Sequence, residues 1–131
     1  MKEIPFTPSD TLVGFECRIE YKGIAVVWMA LDTGASRTII PTEVLRNIGF
    51  QEDSLKNIVS FGDASQTHLA PIVKLPSFSV GNATVSNLEA LAYTLPEKLG
   101  IDGLIGLNFL QYFKKFTVDF EESKLLLYED V

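Results

Sequence analysis

Ile24-Ala25-Val26-Val27-Trp28-Met29-Ala30-Leu31-Asp32-Thr33-Gly34 is the stretch whose reading decides the fold. A mostly apolar run, rich in residues that favour strands, reads as a buried strand, and it ends on an aspartate. A carboxylate in that position is expensive to ionise unless nearby groups solvate it. Thr33 and Ser36 bring hydroxyls, and Gly34 lets a backbone N–H come close. Ala35 and Ser36 continue the loop into Arg37-Thr38-Ile39-Ile40-Pro41. These are the residue types needed to hold a carboxylate at the mouth of a core and let it activate water.

On the N-terminal side, Thr11 to Tyr21 alternates, with Leu12, Phe15, Cys17 and Ile19 among polar neighbours. Lys22-Gly23 is a turn signal, so a first hairpin delivers Asp32 to a loop. On the other side, Pro41-Thr42 opens a short helix that Gly49 stops, with Val44, Leu45 and Ile48 on one apolar stripe. Phe50 to Lys56 reads as a loop. Ile58 to Phe61 and Ala70 to Val73 flank Gly62-Asp63-Ala64-Ser65-Gln66 and predict a second hairpin. Lys74 to Val80 and Thr84 to Tyr93 predict two more strands joined at Gly81-Asn82, with Pro76 at an edge or bulge. Asp102 to Leu110 passes from strand into a short helix near Phe109 to Phe113, and Phe116 to Tyr128 closes as a terminal hairpin. Many short strands with about two short helices define an all-β, closed or nearly closed sheet in a single domain spanning residues 1–131.

Composition removes several chemistries. A chain 47% apolar and 21% charged can bury a core without disulfides. The net charge of -6 and the lack of a Lys/Arg cluster argue against nucleic-acid and anionic-membrane partners. Lys114-Lys115 reads as a solvated edge. The N-terminal residues show no signal peptide, and no apolar run approaches the ~20 residues that span a bilayer, so a soluble, cytoplasmic protein is expected. Cys17 is the only cysteine and reads as a small buried side chain. His68 is the only histidine; it sits in a polar stretch and reads as an exposed hairpin residue, which disfavours imidazole-assisted nucleophiles. No metal site and no cofactor are expected, and the carboxylates are what remain.

Asp-Thr-Gly alone is a weak signal, because an Asp-capped turn with a glycine gives the same letters. Its context adds information. Ala30-Leu31-Asp32-Thr33-Gly34-Ala35-Ser36 follows an apolar strand, and Leu104-Ile105-Gly106 appears roughly seventy residues later, followed by Asn108-Phe109-Leu110. Together these elements resemble the retropepsin-like aspartic proteases, the single-lobe, retroviral-type family, over nearly the whole chain. The resemblance implies an acid-protease-like barrel and an aspartic endopeptidase acting on extended peptide or protein substrates. It implies that Asp32 is the catalytic carboxylate, that Thr33 bonds to a partner loop, and that the Gly34 N–H approaches the carboxylate. Ser36, beside Ala35, would donate to Asp32, while Leu104, Ile105 and Gly106 would pack behind the loop. Phe61, Gly62, Asp63, Ala64 and Ser65 would form a flap over substrate. Two departures stand out: the flap tip lacks the glycine run of retroviral members, and Leu107 replaces their arginine.

The chemistry needs two carboxylates about one water, one taking a proton and the other donating one. This chain has one Asp-Thr-Gly, so a homodimer with one active site on its axis is expected. Asp102 is the internal alternative, but its flanks lack the hydroxyls found around Asp32, and a turn or surface aspartate explains it. Asp119 reads as the outward residue of an alternating strand. Substrate pockets should be mostly apolar, with Val59, Phe61, Ile72 and Leu104 as candidates, and acidic pH should favour activity. Two other readings compete: a non-catalytic peptide-binding or dimerisation module on the same fold, and a β-rich structural domain whose Asp-Thr-Gly is accidental.

Overall fold

The computed structural model describes residues 1–7, 12–62 and 66–129. Strands β2 (Gly14–Glu20) and β3 (Ile24–Leu31) form the first hairpin in full antiparallel register, from Gly14 opposite Ala30 to Glu20 opposite Ile24. Period-2 alternation sends Phe15, Cys17 and Ile19 inward. Strand β4 (Thr38–Ile40) leads into helix α1 (Thr42–Asn47), which starts after Pro41 and buries Leu45. A short 3-10 turn at Glu52–Leu55 occupies the expected loop. Strands β5 (Ile58–Gly62) and β6 (Thr67–Val80) form the second hairpin.

β6 is one strand of 14 residues, so the two strands read from Ala70–Val73 and Lys74–Val80 are a single element. Pro76 interrupts it without breaking it. The pairing with strand β7 (Ala83–Ala92) runs through Leu75–Leu88 and Ser77–Ser86 but skips Pro76 and Asn87. Asn87 has φ 57°, a left-handed conformation that accommodates the missing donor. Strand β8 (Gly103–Ile105) and helix α2 (Leu107–Leu110) follow, the helix beginning earlier than expected. Strands β9 (Lys115–Asp119) and β10 (Lys124–Tyr128) make the terminal hairpin. Strand β1 (Lys2–Pro5), not foreseen from its polar sequence, adds to β10.

The order β2-β3-β8-β4-β7-β6 closes through a β2–β6 pairing, giving an all-β barrel with two short helices. β5 extends β6 beyond the barrel as the outer arm of a hairpin, and β1-β10-β9 form a separate three-stranded sheet. Ile4, Leu125 and Leu127 of that sheet share one buried cluster with Phe78, Ile105 and Phe109 of the barrel and α2. Two pairings position the site. β3 and β8 run parallel with Leu31 opposite Ile105, so Asp32 and Gly106 leave the barrel side by side.

Candidate active site

Asp32 continues the β3–β8 ladder by one bond, its N–H donating to the Ile105 carbonyl at 3.0 Å. The chain then turns, and Ala35 N–H donates to the Asp32 carbonyl at 3.1 Å. That turn aims the Gly34 N–H at the carboxylate, which accepts it on Oδ1 at 2.9 Å. A hydrogen bond to an ionised carboxylate contributes about 1.5–3 kcal/mol. A Cβ at position 34 would stand 3.1 Å from the same Oδ1, so glycine keeps this approach open. The Asp32 side chain is half-buried and opens onto a cleft.

The loop is held from behind by residues far away in sequence. Leu107 N–H donates to the Ala35 carbonyl at 2.7 Å, and Asn108 N–H to the Ser36 carbonyl at 3.2 Å. Thr38, fully buried, donates both its N–H and its hydroxyl to Asn108 Oδ1, each at 2.9 Å. The same hydroxyl oxygen accepts from Gly106 N–H at 3.1 Å, and Asn108 Nδ2 donates to the Glu89 carbonyl at 2.7 Å. Gly106 is required by space, since a Cβ there would lie 2.4 Å from the Arg37 carbonyl carbon. Thr38 and Asn108 therefore join the start of β4, the end of β8, and β7 into one fastening beneath Asp32.

The cleft has a volume of about 290 Å³. Asp32, Gly34, Ala35 and Ser36 form its floor, with Leu104, Leu91 and Tyr93 beside them and Phe61 and His68 from the β5–β6 hairpin. A larger hollow of about 640 Å³ lies on the outer face of β2 and β6, around Arg18 and Ser79. It is formed mostly by outward strand residues, and Asp32 is not part of it.

Several expectations need correction. Of the two places expected for Leu104, behind the loop and in the substrate pocket, strand alternation gives it the cleft, while Ile105 enters the core. Val59 lies farther from the hairpin tip and outside the cleft, and Ile72 lines a different hollow with Phe50 and Lys74. Ser36 contributes its carbonyl, and its hydroxyl makes no bond to Asp32 among the described residues. Thr33 is exposed and makes no hydrogen bond among the described residues. Phe61 and Gly62 line the cleft, whereas Asp63, Ala64 and Ser65 lie outside the described residues.

His68 is in the hairpin as expected, but it is half-buried and faces the cleft. Its ring lies 5.5 Å from both Phe61 and Tyr93, whose own centroids are 5.1 Å apart. Three rings thus tie the hairpin to the end of β7. Alternation would have put Phe61 and His68 on one face once their cross-strand pairing was known. Asp102 is exposed, and its carboxylate accepts from Trp28 N–H at 2.7 Å, which extends the β3–β8 ladder. Asp119 accepts from Glu122 N–H in the β9–β10 turn. Burial pushes the Cys17 thiol strongly upward, with the Glu16 charge adding to it, so the sulfur stays protonated and inert. No three-residue group of His, Cys, Asp and Glu able to hold a metal occurs among the described residues.

A family profile described as aspartyl protease matches residues 16–109. The chain belongs to that family, and its fold is retropepsin-like. The crystal structure of a retropepsin-like aspartic protease from Rickettsia conorii superposes with a TM-score of 0.73 at 23% identity, covering 97% of this chain and 91% of that one. The retroviral protease-like domain of Ddi1 from Leishmania major superposes with a TM-score of 0.61 at 13% identity, over 91% of this chain and 90% of that one. A search of curated proteins found no match. No helix among the described residues is long and apolar enough to cross a membrane.

Proposed function

We propose that two copies of this chain form an aspartic endopeptidase, with one Asp32 from each copy flanking a single catalytic water. The observation that carries this reading is the Asp32 loop. One carboxylate, held by the Gly34 N–H and fastened from behind, opens onto a groove walled by a hairpin. One carboxylate cannot both take a proton from water and deliver one to the carbonyl oxygen, so the site needs a second. A twofold axis supplies it from an identical chain.

In the pair, two carboxylates in contact share a single proton and titrate together, as is known for paired aspartates of this class. The ionised member accepts a proton from the water, which attacks the scissile carbonyl. The protonated member donates to the carbonyl oxygen, giving a tetrahedral diol. The member that took the water's proton then gives it to the amide nitrogen, and the other takes back the hydroxyl proton. The C–N bond breaks to release amine and acid, with one proton again on the pair. Thr33, exposed and without a hydrogen bond among the described residues, is left in this reading to bond the partner loop. The peptide lies extended between the floor and the β5–β6 hairpin, with alternate side chains in pockets. Ile39, Leu91, Tyr93, Leu95 and Leu104 make the pocket nearest Asp32 apolar, with Arg37 and His68 at its polar margin.

The test is Asp32→Asn assayed against a peptide library from pH 4 to 7. General acid–base groups contribute about 10²–10⁴-fold, so cleavage should fall at least a hundredfold. Equal cleavage by the variant ends the reading. Peptide binding without turnover by the unaltered protein favours the non-catalytic module.

A further inference from the structure

The cleft above Asp32 is walled mainly by apolar side chains, and one feature of its margin breaks that pattern. Arg37 is the one permanent cation among the described residues that line it, in a chain whose net charge is -6. Strand alternation puts it there. Thr38 is fully buried in the fastening beneath the loop, so Arg37 and Ile39 on either side of it face the other way, into the cleft.

Arg37 is only loosely engaged within its own chain. Its Nε stands 3.7 Å from Glu89 Oε1, beyond hydrogen-bond length, and the two side chains are 36% and 50% exposed. A pair this open to water is weak and easily exchanged. Glu89 also has Lys74 opposite it on the β6–β7 ladder, so a second cation is at hand for it. The terminal nitrogens of Arg37 make no hydrogen bond among the described residues. A planar fork of N–H donors therefore lies at the margin of the cleft without an acceptor.

We propose that Arg37 selects substrates that carry an acidic side chain near, but not next to, the bond that is cut. The inference rests on the proteolytic reading above and deepens it by naming a substrate class. A guanidinium meets a carboxylate through two parallel N–H···O bonds, a match that neutral side chains lack. Beside the scissile bond an acid is disfavoured, because the Asp32 pair keeps one negative charge after sharing its proton. Thr33 to Ser36 separate Asp32 from Arg37, which moves the favourable place outward along the peptide. Apolar lining from Ile39 and Leu91 suits the methylenes of a glutamate. His68 enters the same cleft from the hairpin and offers one further N–H donor even when neutral. A twofold assembly sets one Arg37 on each side of the scissile bond, so the selection has a counterpart on either side.

Peptide pairs differing only by Glu against Gln test this on the whole chain. Cleavage of a peptide library first shows which positions are enriched in acid, and pairs built on those positions give a ratio of kcat/KM. The parent should favour Glu by about five- to tenfold at low salt, and by less at high salt, where the charges are screened. R37Q should bring the ratio to about one, since its amide gains nothing from the charge. R37E should reverse the selection, so that Lys at the same position is cut faster than Gln. Each ratio compares two peptides on one protein, so a variant that is merely less stable moves both alike, and thermal unfolding checks that each variant folds. The same library, selected for binding to D32N, reads the preference without turnover. A library with no acid enrichment, or a Glu-to-Gln ratio that R37Q leaves unchanged, overturns the selection and leaves the proteolytic reading standing. Acidic peptides that bind through Arg37 but are never cut by the parent uphold the selection and end the proteolytic reading. A chain that neither cuts nor binds any library peptide overturns both.

Discussion

Asn108→Ala should destabilise the protein by about 3 kcal/mol, although the side chain lies outside the cleft lining. Asn108 Oδ1 is the shared acceptor for the N–H and hydroxyl of Thr38, and Thr38 is fully buried. Alanine leaves two donors with no partner and no route to water, at about 1–3 kcal/mol for the amide and roughly 1 for the hydroxyl. The Glu89 carbonyl loses its Nδ2 donor but lies where water can reach it, which adds only a few tenths. Asn108→Asp separates the contributions. Its carboxylate still accepts from Thr38 but cannot donate to Glu89, so the loss should be about 1–2 kcal/mol at pH 7. The assay is urea unfolding followed by Trp28 fluorescence, with all variants at one protein concentration because a dimer's stability depends on it. An Asn108→Ala chain within 0.5 kcal/mol of the parent, about a sixth of the expected loss, would refute the reasoning, since Thr38 would then be finding other partners.

Gly106→Ala forces a Cβ to within 2.4 Å of backbone at Arg37, so it should cost about 3 kcal/mol and lower activity beyond what the stability loss explains; a thermal shift under 2 °C would contradict this. Tyr93→Ala removes ring contacts to Phe61 and His68 worth about 0.5–1.5 kcal/mol each, so kcat/KM for peptides should fall roughly tenfold with the fold intact. Steady-state kinetics unchanged by that substitution would separate the hairpin from substrate closure. Cys17 is buried with its thiol pushed upward, so a disulfide reagent at pH 8 should label it only after denaturation; rapid labelling of native protein would show that β2 opens.

Most of the barrel was legible because strand burial has a two-residue period that a sequence records directly. Ile24 to Leu31 emerged with its observed bounds, and Phe15, Cys17 and Ile19 alternated as the pattern required. Lys22-Gly23 and Gly81-Asn82 marked turns through backbone preferences that act locally. β1 was missed because it earns its place by pairing with β10, and little in Lys2-Glu3-Ile4-Pro5 announces a strand. The break read between Val73 and Lys74 was misplaced because β6 passes its pairing without interruption from β5, up to Pro71, to β7, from Ile72 onward.

Within the candidate site, the carboxylate and its glycine could be read from the chain, since the Gly34 N–H reaches Asp32 over two residues. Leu104 was also among the apolar residues read for the pocket, whereas His68 packed against both Phe61 and Tyr93, and Asn108 under Thr38, could not be read. Each depends on partners that the chain brings together only when β8 slots between β3 and β4 and the β5–β6 hairpin folds over β7. A local pattern carries which residues avoid water, because that follows from each residue and its near neighbours. Which buried residue meets which, and on what side, follows from closing the sheet, a balance struck among contacts tens of residues apart.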